Sequence, residues 1–352
     1  MKDIKNKGFT LIEILVSLAI LGIVLAGIYS VYNMQHKSYI VQEQVAEMQQ
    51  NERIALQMIT RDIRTAGLGL ACKQSGIIFT EDANGNGALN NGEDINGDTL
   101  LTTFGDGQGF DGSDTIALAY YVFRPDNAVG GNSQTADNFN PTAATFHVID
   151  ATGFTATEGD NLVIIYNQNN PCNYATVAVT NVVEASGTLT HAVGKAIENL
   201  PGGAGPGFSS GDRVRRLRTN EGGGIITYRI GNPDGYTLYR TIRTTGAPVV
   251  QPLADNIEDL QIAYGFDING NGVVELGEWF NTPAGQDMTL LREIRVTLVA
   301  RTIRDDPEFN VGTRPPVENH APATNTTEAK YRRRVLQTTI KLRNIDGVVE
   351  SF

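Results

Sequence analysis

The sequence predicts an α+β protein: a long N-terminal helix, apolar enough for a membrane, packed on a β-rich globular body with extended loops. Three observations lead there. No proline interrupts residues 9–66, so a helix can run through them unbroken. The first part of that run is apolar and the second amphipathic. Beyond Leu70 the chain turns to short alternating or apolar runs between Gly-, Asn- and Pro-rich turns, the pattern of strands.

A polar leader occupies residues 1–8 and ends at Gly8. Residues 9–32 (Phe9 to Tyr32) are apolar and long enough to cross a bilayer as one helix. Their one charge is Glu13. A carboxylate there is costly and marks function, so Glu13 awaits a cationic partner. An ordinary signal anchor is the alternative. A cleavable secretory signal fits less well, because its apolar core is shorter and a small-residue cleavage site follows it.

Residues 33–66 continue the helix. Met34, Val41, Val45, Met48, Ile54, Ile59 and Ile63 recur at rough helical spacing among Gln, Glu and Arg. Gly67 and Gly69 are plausible terminators. The whole helix would measure about 85 Å. Its first half suits lipid or the core of an assembly, and its second half would pack an apolar stripe on the body.

The body, residues 67–352, carries strand patterns over Thr115–Phe123, Asn161–Asn167, Ala175–Val183, Gly224–Ile230, Thr237–Ile242, Leu260–Phe266, Leu291–Arg301 and Arg334–Arg343. Irregular stretches cover 82–114, 125–141 and 305–327. The last is rich in Pro and Asn and is expected to be disordered or exposed. The Gly- and Pro-rich segment Pro201–Gly207 reads as a flexible connection.

The formal net charge of -11 argues against a globally nucleic-acid-binding surface but allows a local patch. Two basic clusters exist: Arg213, Arg215, Arg216 and Arg218, and Lys330, Arg332, Arg333 and Arg334. Solvated strand faces and intramolecular pairs are the plainer reading of both. For the two cysteines, Cys72 and Cys172, a disulfide is the default if the body lies outside the cytoplasm. Closing a loop of roughly 100 residues would stabilise by up to about 4–5 kcal/mol. Two unpaired buried thiols are the alternative.

Two loops match D-x-N-x-N-G-x5-E, the spacing of a calcium loop. The first would use Asp82, Asn84, Asn86, Ala88 (through its carbonyl), Asn90 and Glu93. The second would use Asp267, Asn269, Asn271, Val273 (carbonyl), Glu275 and Glu278. Oxygens at positions one, three and five converge, glycine at six permits the sharp turn, and glutamate at twelve closes the site. Asparagine replaces aspartate at positions three and five in both, so weak, extracellular-type affinity is expected for one or two calcium ions. Strand residues precede the second loop, so it reads as an isolated loop rather than a paired EF-hand. The alternative is that Asn-Gly turns simply join strands.

Little points to catalysis. Gly107, Gly109 and Gly112 match G-x-G-x-x-G, but strand residues follow where a dinucleotide site needs a helix. The four histidines lack zinc spacing, and no G-x-S-x-G elbow occurs. The expectation is a non-enzyme.

The stretch Lys7-Gly8-Phe9-Thr10-Leu11-Ile12-Glu13 resembles the leader and transmembrane segment of type IV prepilins. That resemblance implies cleavage after Gly8 by prepilin peptidase and N-methylation of Phe9. It also implies pairing of Glu13 with a neighbouring subunit's N-terminal amine during assembly. Farther on, Arg61-Asp62-Ile63-Arg64-Thr65-Ala66-Gly67, Asp111-Gly-Ser-Asp114, Pro252-Leu-Ala-Asp255-Asn-Ile257-Glu-Asp259-Leu260 with Tyr264-Gly265, Arg292-Glu-Ile-Arg295 and Tyr331-Arg-Arg-Arg334 resemble segments of the PilW family of minor pilins. The resemblance implies a single-pass inner-membrane protein with an extracytoplasmic body that passes to a cell-surface pilus. It implies other major and minor pilins as partners through the helix, and a role in initiating or capping assembly. Type II secretion pseudopilins of the J class are the nearest alternative. A pilus-tip adhesin or DNA-binding module is another.

Overall fold

The computed structural model describes residues 10–67, 76–78, 104–120, 132–138, 144–157, 162–168, 174–191, 208–217, 224–231, 236–243, 248–283, 286–306, 308–309, 313–322 and 329–342. Helix α1 spans Leu11–Thr65. Its start is set by a capping box: the Glu13 carboxylate accepts from the Thr10 amide at 2.8 Å, and Thr10 Oγ1 accepts from the Glu13 amide at 3.4 Å. At the other end Gly67 adopts a φ of 78°, and its amide donates to the Ala119 carbonyl at 2.8 Å. The helix therefore stops where the chain meets the first sheet.

Burial divides α1 in two. Large apolar side chains from Leu11 to Tyr39 are exposed, whereas Met48, Ala55, Ile59 and Ile63 are buried at helical spacing. That stripe packs on the main core of the body.

The strands are β1 (Ile77–Ile78), β2 (Ile116–Tyr120), β3 (Asn132–Gln134), β4 (Thr145–His147), β5 (Leu162–Tyr166), β6 (Tyr174–Val183), β7 (Thr188–His191), β8 (Arg213–Leu217), β9 (Gly224–Gly231), β10 (Thr237–Arg243), β11 (Val249–Ala254), β12 (Ile257–Phe266), β13 (Trp279–Phe280), β14 (Leu291–Arg301) and β15 (Arg333–Lys341). Every strand expected from the sequence falls on one of these. Most of the additional ones are short, polar or basic, so alternation could not mark them, and β11 (Val249–Ala254) contains Pro252, which argues against a strand in sequence.

Three antiparallel sheets result, in the orders β1-β2-β9-β10-β11, β13-β12-β14-β15 and β3-β8-β5-β6-β7-β4. β2 pairs directly with β9, Ile116 opposite Tyr228. The six-stranded sheet is thus inserted between two neighbouring strands, and it has a core of its own around Phe146, Ile165, Val177 and Phe208. The first two sheets share the main core with α1.

β12 is buried along its whole length. Leu260, Ile262, Tyr264 and Phe266 belong to the main core. The polar residues Asp259 and Gln261 are covered instead by loop segments. Arg314 Nη1 donates to Asp259 Oδ2 at 2.6 Å, and Arg295 forms a two-pronged pair with Glu318 at 2.8 and 2.7 Å. The described part of the 305–327 stretch is mixed: Asp305, Glu308, Pro316 and Asn319 are exposed, as expected, whereas Arg314, at 3% exposure, and Val317 are buried. Part of the segment's polarity meets water, and part of it meets the polar residues of β12.

Candidate functional site: an exposed helix and an acidic loop

The N-terminal part of α1 is the first functional feature. Its most apolar 18-residue window has a mean hydropathy of 2.7, and none of it is buried in the body. Glu13 lies in the first turn, where its carboxylate also accepts from Thr10 Oγ1 at 2.9 Å. Within one chain the carboxylate is therefore occupied by the local cap, with no cation beside it among the described residues. Gly8 and Phe9 lie outside the described residues.

The apolar packing of the helix on the body was foreseen, but the polar contacts at the joint were not. Asp62 Oδ2 accepts from Arg240 Nε at 2.7 Å and from the Tyr228 hydroxyl at 2.5 Å. Tyr228 and Arg240 face each other across β9 and β10. Ten residues before Asp62 on α1, Glu52 is fully buried, 3.3 Å from Arg334 Nε. Burial pushes its carboxyl up to about 7 against the pull of Arg334 and Arg53. Asp62 and Glu52 sit among the apolar residues of one helical stripe, which is the signal that could have marked them.

The second feature is the loop 267–278, which leads out of β12 and back into β13. Asp267 is 3% exposed. Its Oδ2 accepts from the Gly272 amide at 3.0 Å and lies 3.8 Å from Arg292 Nε. Its Oδ1 is buried without a hydrogen-bond partner among the described residues. Asn269 Oδ1 accepts from the Asn271 amide, and Asn271 Oδ1 from the Val273 amide, each at 2.9 Å. Gly270 and Gly272 take φ values of 71° and 84°, a turn that side-chain-bearing residues resist.

Asn271 Nδ2 donates to Glu275 Oε1 at 3.0 Å. Glu278 reaches back across the loop: Oε1 accepts from the Ile268 and Asn269 amides at 3.0 and 3.2 Å, and Oε2 from the Glu275 amide at 2.8 Å. The residues of the repeat lie within one small loop. Its closing contacts are hydrogen bonds from Glu278 to backbone amides. Among the described residues no group of three or more His, Cys, Asp or Glu side chains is arranged to hold a metal. The oxygens here come as much from asparagines and backbone as from carboxylates.

The loop is tied to the sheet. Gly265 pairs opposite Trp279, and a Cβ at Gly265 would come within 2.8 Å of Val274 Cγ1. Trp279 carries the Arg295 guanidinium 4.3 Å from its ring centre. The first acidic loop, with Asp82, Asn84, Asn86, Ala88, Asn90 and Glu93, lies outside the described residues. So do Cys72 and Cys172.

The basic clusters are largely absorbed within the chain. Arg332 pairs with Asp306 at 2.8 Å, and Arg333 holds the buried Glu258 at 2.5 and 2.9 Å. Arg215 lies over the Tyr166 ring, and Arg216 donates to the Gly153 carbonyl. Glycines 107, 109 and 112 belong to a loop that precedes β2. There Asp114 accepts from the Gly107 and Ile262 amides at 2.8 and 2.7 Å. Burial pushes Asp114 up to about 7.

A projecting apolar helix on a sheet-rich body is the build of a type IV pilin-like protein. Residues 4–29 match the prokaryotic N-terminal methylation motif, and residues 227–344 match the type IV pilus-assembly protein W family. The two matches, one at the N-terminal end of α1 and one in the C-terminal third of the chain, support a type IV pilin-like protein of the PilW kind. The family match runs from β9 through β15, and the inserted six-stranded sheet lies outside it. No curated protein and no solved structure matches the chain.

Proposed function

We propose that this chain helps initiate or cap a type IV pilus, as a structural subunit rather than a catalyst. The observation that carries the reading is the first half of α1, largely apolar on its surface and unpacked on its own body. Such a surface needs lipid before assembly and neighbouring helices after it. Cleavage after Gly8 frees the amine of Phe9, which is then methylated. Glu13 exchanges its contacts with Thr10 for a neighbour's amine, which lowers the cost of a carboxylate in an apolar core. The protein begins as a single-pass inner-membrane protein with its body outside the cytoplasm.

Calcium belongs to the same proposal. Asp267, Asn269, Asn271, the Val273 carbonyl, Glu275 and Glu278 would hold the ion. The buried Asp267 Oδ1, without a partner among the described residues, supports this, since a cation would satisfy it. The ion would supply local positive charge that fixes the loop between β12 and β13.

The test is a deletion strain, sheared for surface filaments and assayed for secreted enzymes. Fewer filaments with normal secretion is the expected result. Normal filaments with failed secretion would make the chain a secretion pseudopilin instead.

A further inference from the structure

β15 is the outer strand of its sheet, and among the described residues no strand pairs with its other side. An open edge presents amide and carbonyl groups that an added strand can use. Beside it lies an open groove of about 530 Å³, lined by Arg53, Gln57, Arg61 and Arg64 of α1 and by Leu336 and Thr338 of β15. Arg53, Gln57 and Arg64 stand on one stripe of the helix, because their spacing follows its turns. All three arginines are exposed.

No carboxylate lines the groove among the described residues. Asp62 contacts Arg61 at 3.1 Å through one oxygen, but it is buried and its other oxygen is held by Arg240. In a chain of net charge -11, this is a local basic surface with an apolar floor. Arg53 and Arg64 are about 16 Å apart along the helix, the length of roughly five extended residues.

We propose that this groove binds an extended acidic polypeptide segment of a partner protein, which adds beside β15 and sets its carboxylates on Arg53, Arg61 and Arg64. The outer edge of β15, unpaired among the described residues, favours a polypeptide over a nucleic acid, since it offers backbone pairing that a phosphate chain cannot use. The surface lies on the body end of α1, apart from the exposed apolar half, so the inference stands independently of the assembly role.

The test uses the full chain in detergent and fluorescence anisotropy. The probes are a labelled eight-residue peptide alternating Glu and Val, its Lys-for-Glu counterpart, its backbone N-methylated form, and a single-stranded oligonucleotide. The Glu peptide should bind saturably. The Lys and N-methylated peptides should bind at least about tenfold more weakly, as should the Glu peptide to Arg53→Glu/Arg64→Glu. If that variant fails to fold, Arg53→Gln/Arg64→Gln should show the same direction of change. No saturable binding of the Glu peptide, binding indifferent to both arginine pairs, or binding of the oligonucleotide instead would overturn the proposal.

Discussion

Asp62 and Arg240 join the helix to the body. Their contact is 2.7 Å, with side-chain exposures of 4% and 9%. The Tyr228 hydroxyl shares the same carboxylate oxygen, and burial beside that charge raises its own pKa. The joint fixes the direction in which an unsupported apolar helix leaves the sheets.

Asp62→Ala should therefore be costly. It leaves Arg240 buried without its charge partner, and removal of one member of such a pair costs about 3–5 kcal/mol. Urea unfolding followed by circular dichroism is the check. A loss below about 1 kcal/mol would show that water or Arg61 movement replaces the contact.

Glu52 makes stability depend on pH in a defined direction. Its carboxyl is raised in the folded protein to about 7 from an ordinary 4.5. The folded state therefore binds the proton more tightly. Glu52's contribution is fully present below about 4.5 and is lost as pH rises toward about 7. Glu52→Gln should stabilise the protein at pH 8 by on the order of 2 kcal/mol. That advantage should vanish near pH 4.5. Melting curves of both proteins across this range test it, and a constant difference would assign the effect to packing.

Calcium should raise the melting temperature of the protein, and a chelator should reverse the rise. At a free concentration of about one hundred times Kd the gain is about 2.7 kcal/mol. Asp267→Ala should abolish the calcium-dependent part of the shift. An unchanged melt at millimolar calcium would leave the loop as a turn held by Glu278.

Glu13→Ala should leave leader removal and membrane insertion intact while filaments are lost. Gly8→Ala should block leader removal, visible as a band of unprocessed size. Normal filaments in the first variant would remove the charge-pairing step. A mature band in the second would place the cleavage elsewhere.

Much of this architecture was legible from local pattern. The unbroken proline-free run foretold α1 to within two residues at its start, where the Thr10–Glu13 cap intervenes. Alternation foretold β14 with its observed ends, Leu291 and Arg301. Both signals depend on residues near each other in the chain. The leader and Glu13 are of the same kind, a short motif read without reference to the fold.

What the fold alone reveals is pairing across distance. Residues 116 and 228 become neighbours through sheet register, and a separate six-stranded unit is inserted between them. Asp62 stands between arginines in the sequence, yet it is buried because Arg240 and Tyr228 supply its partners. The 305–327 stretch reads as solvent-facing, but Arg314 and Glu318 cover charges on β12 and β14. Composition specifies how polar a segment is. Whether that polarity meets water or another buried charge depends on what tertiary packing places opposite it.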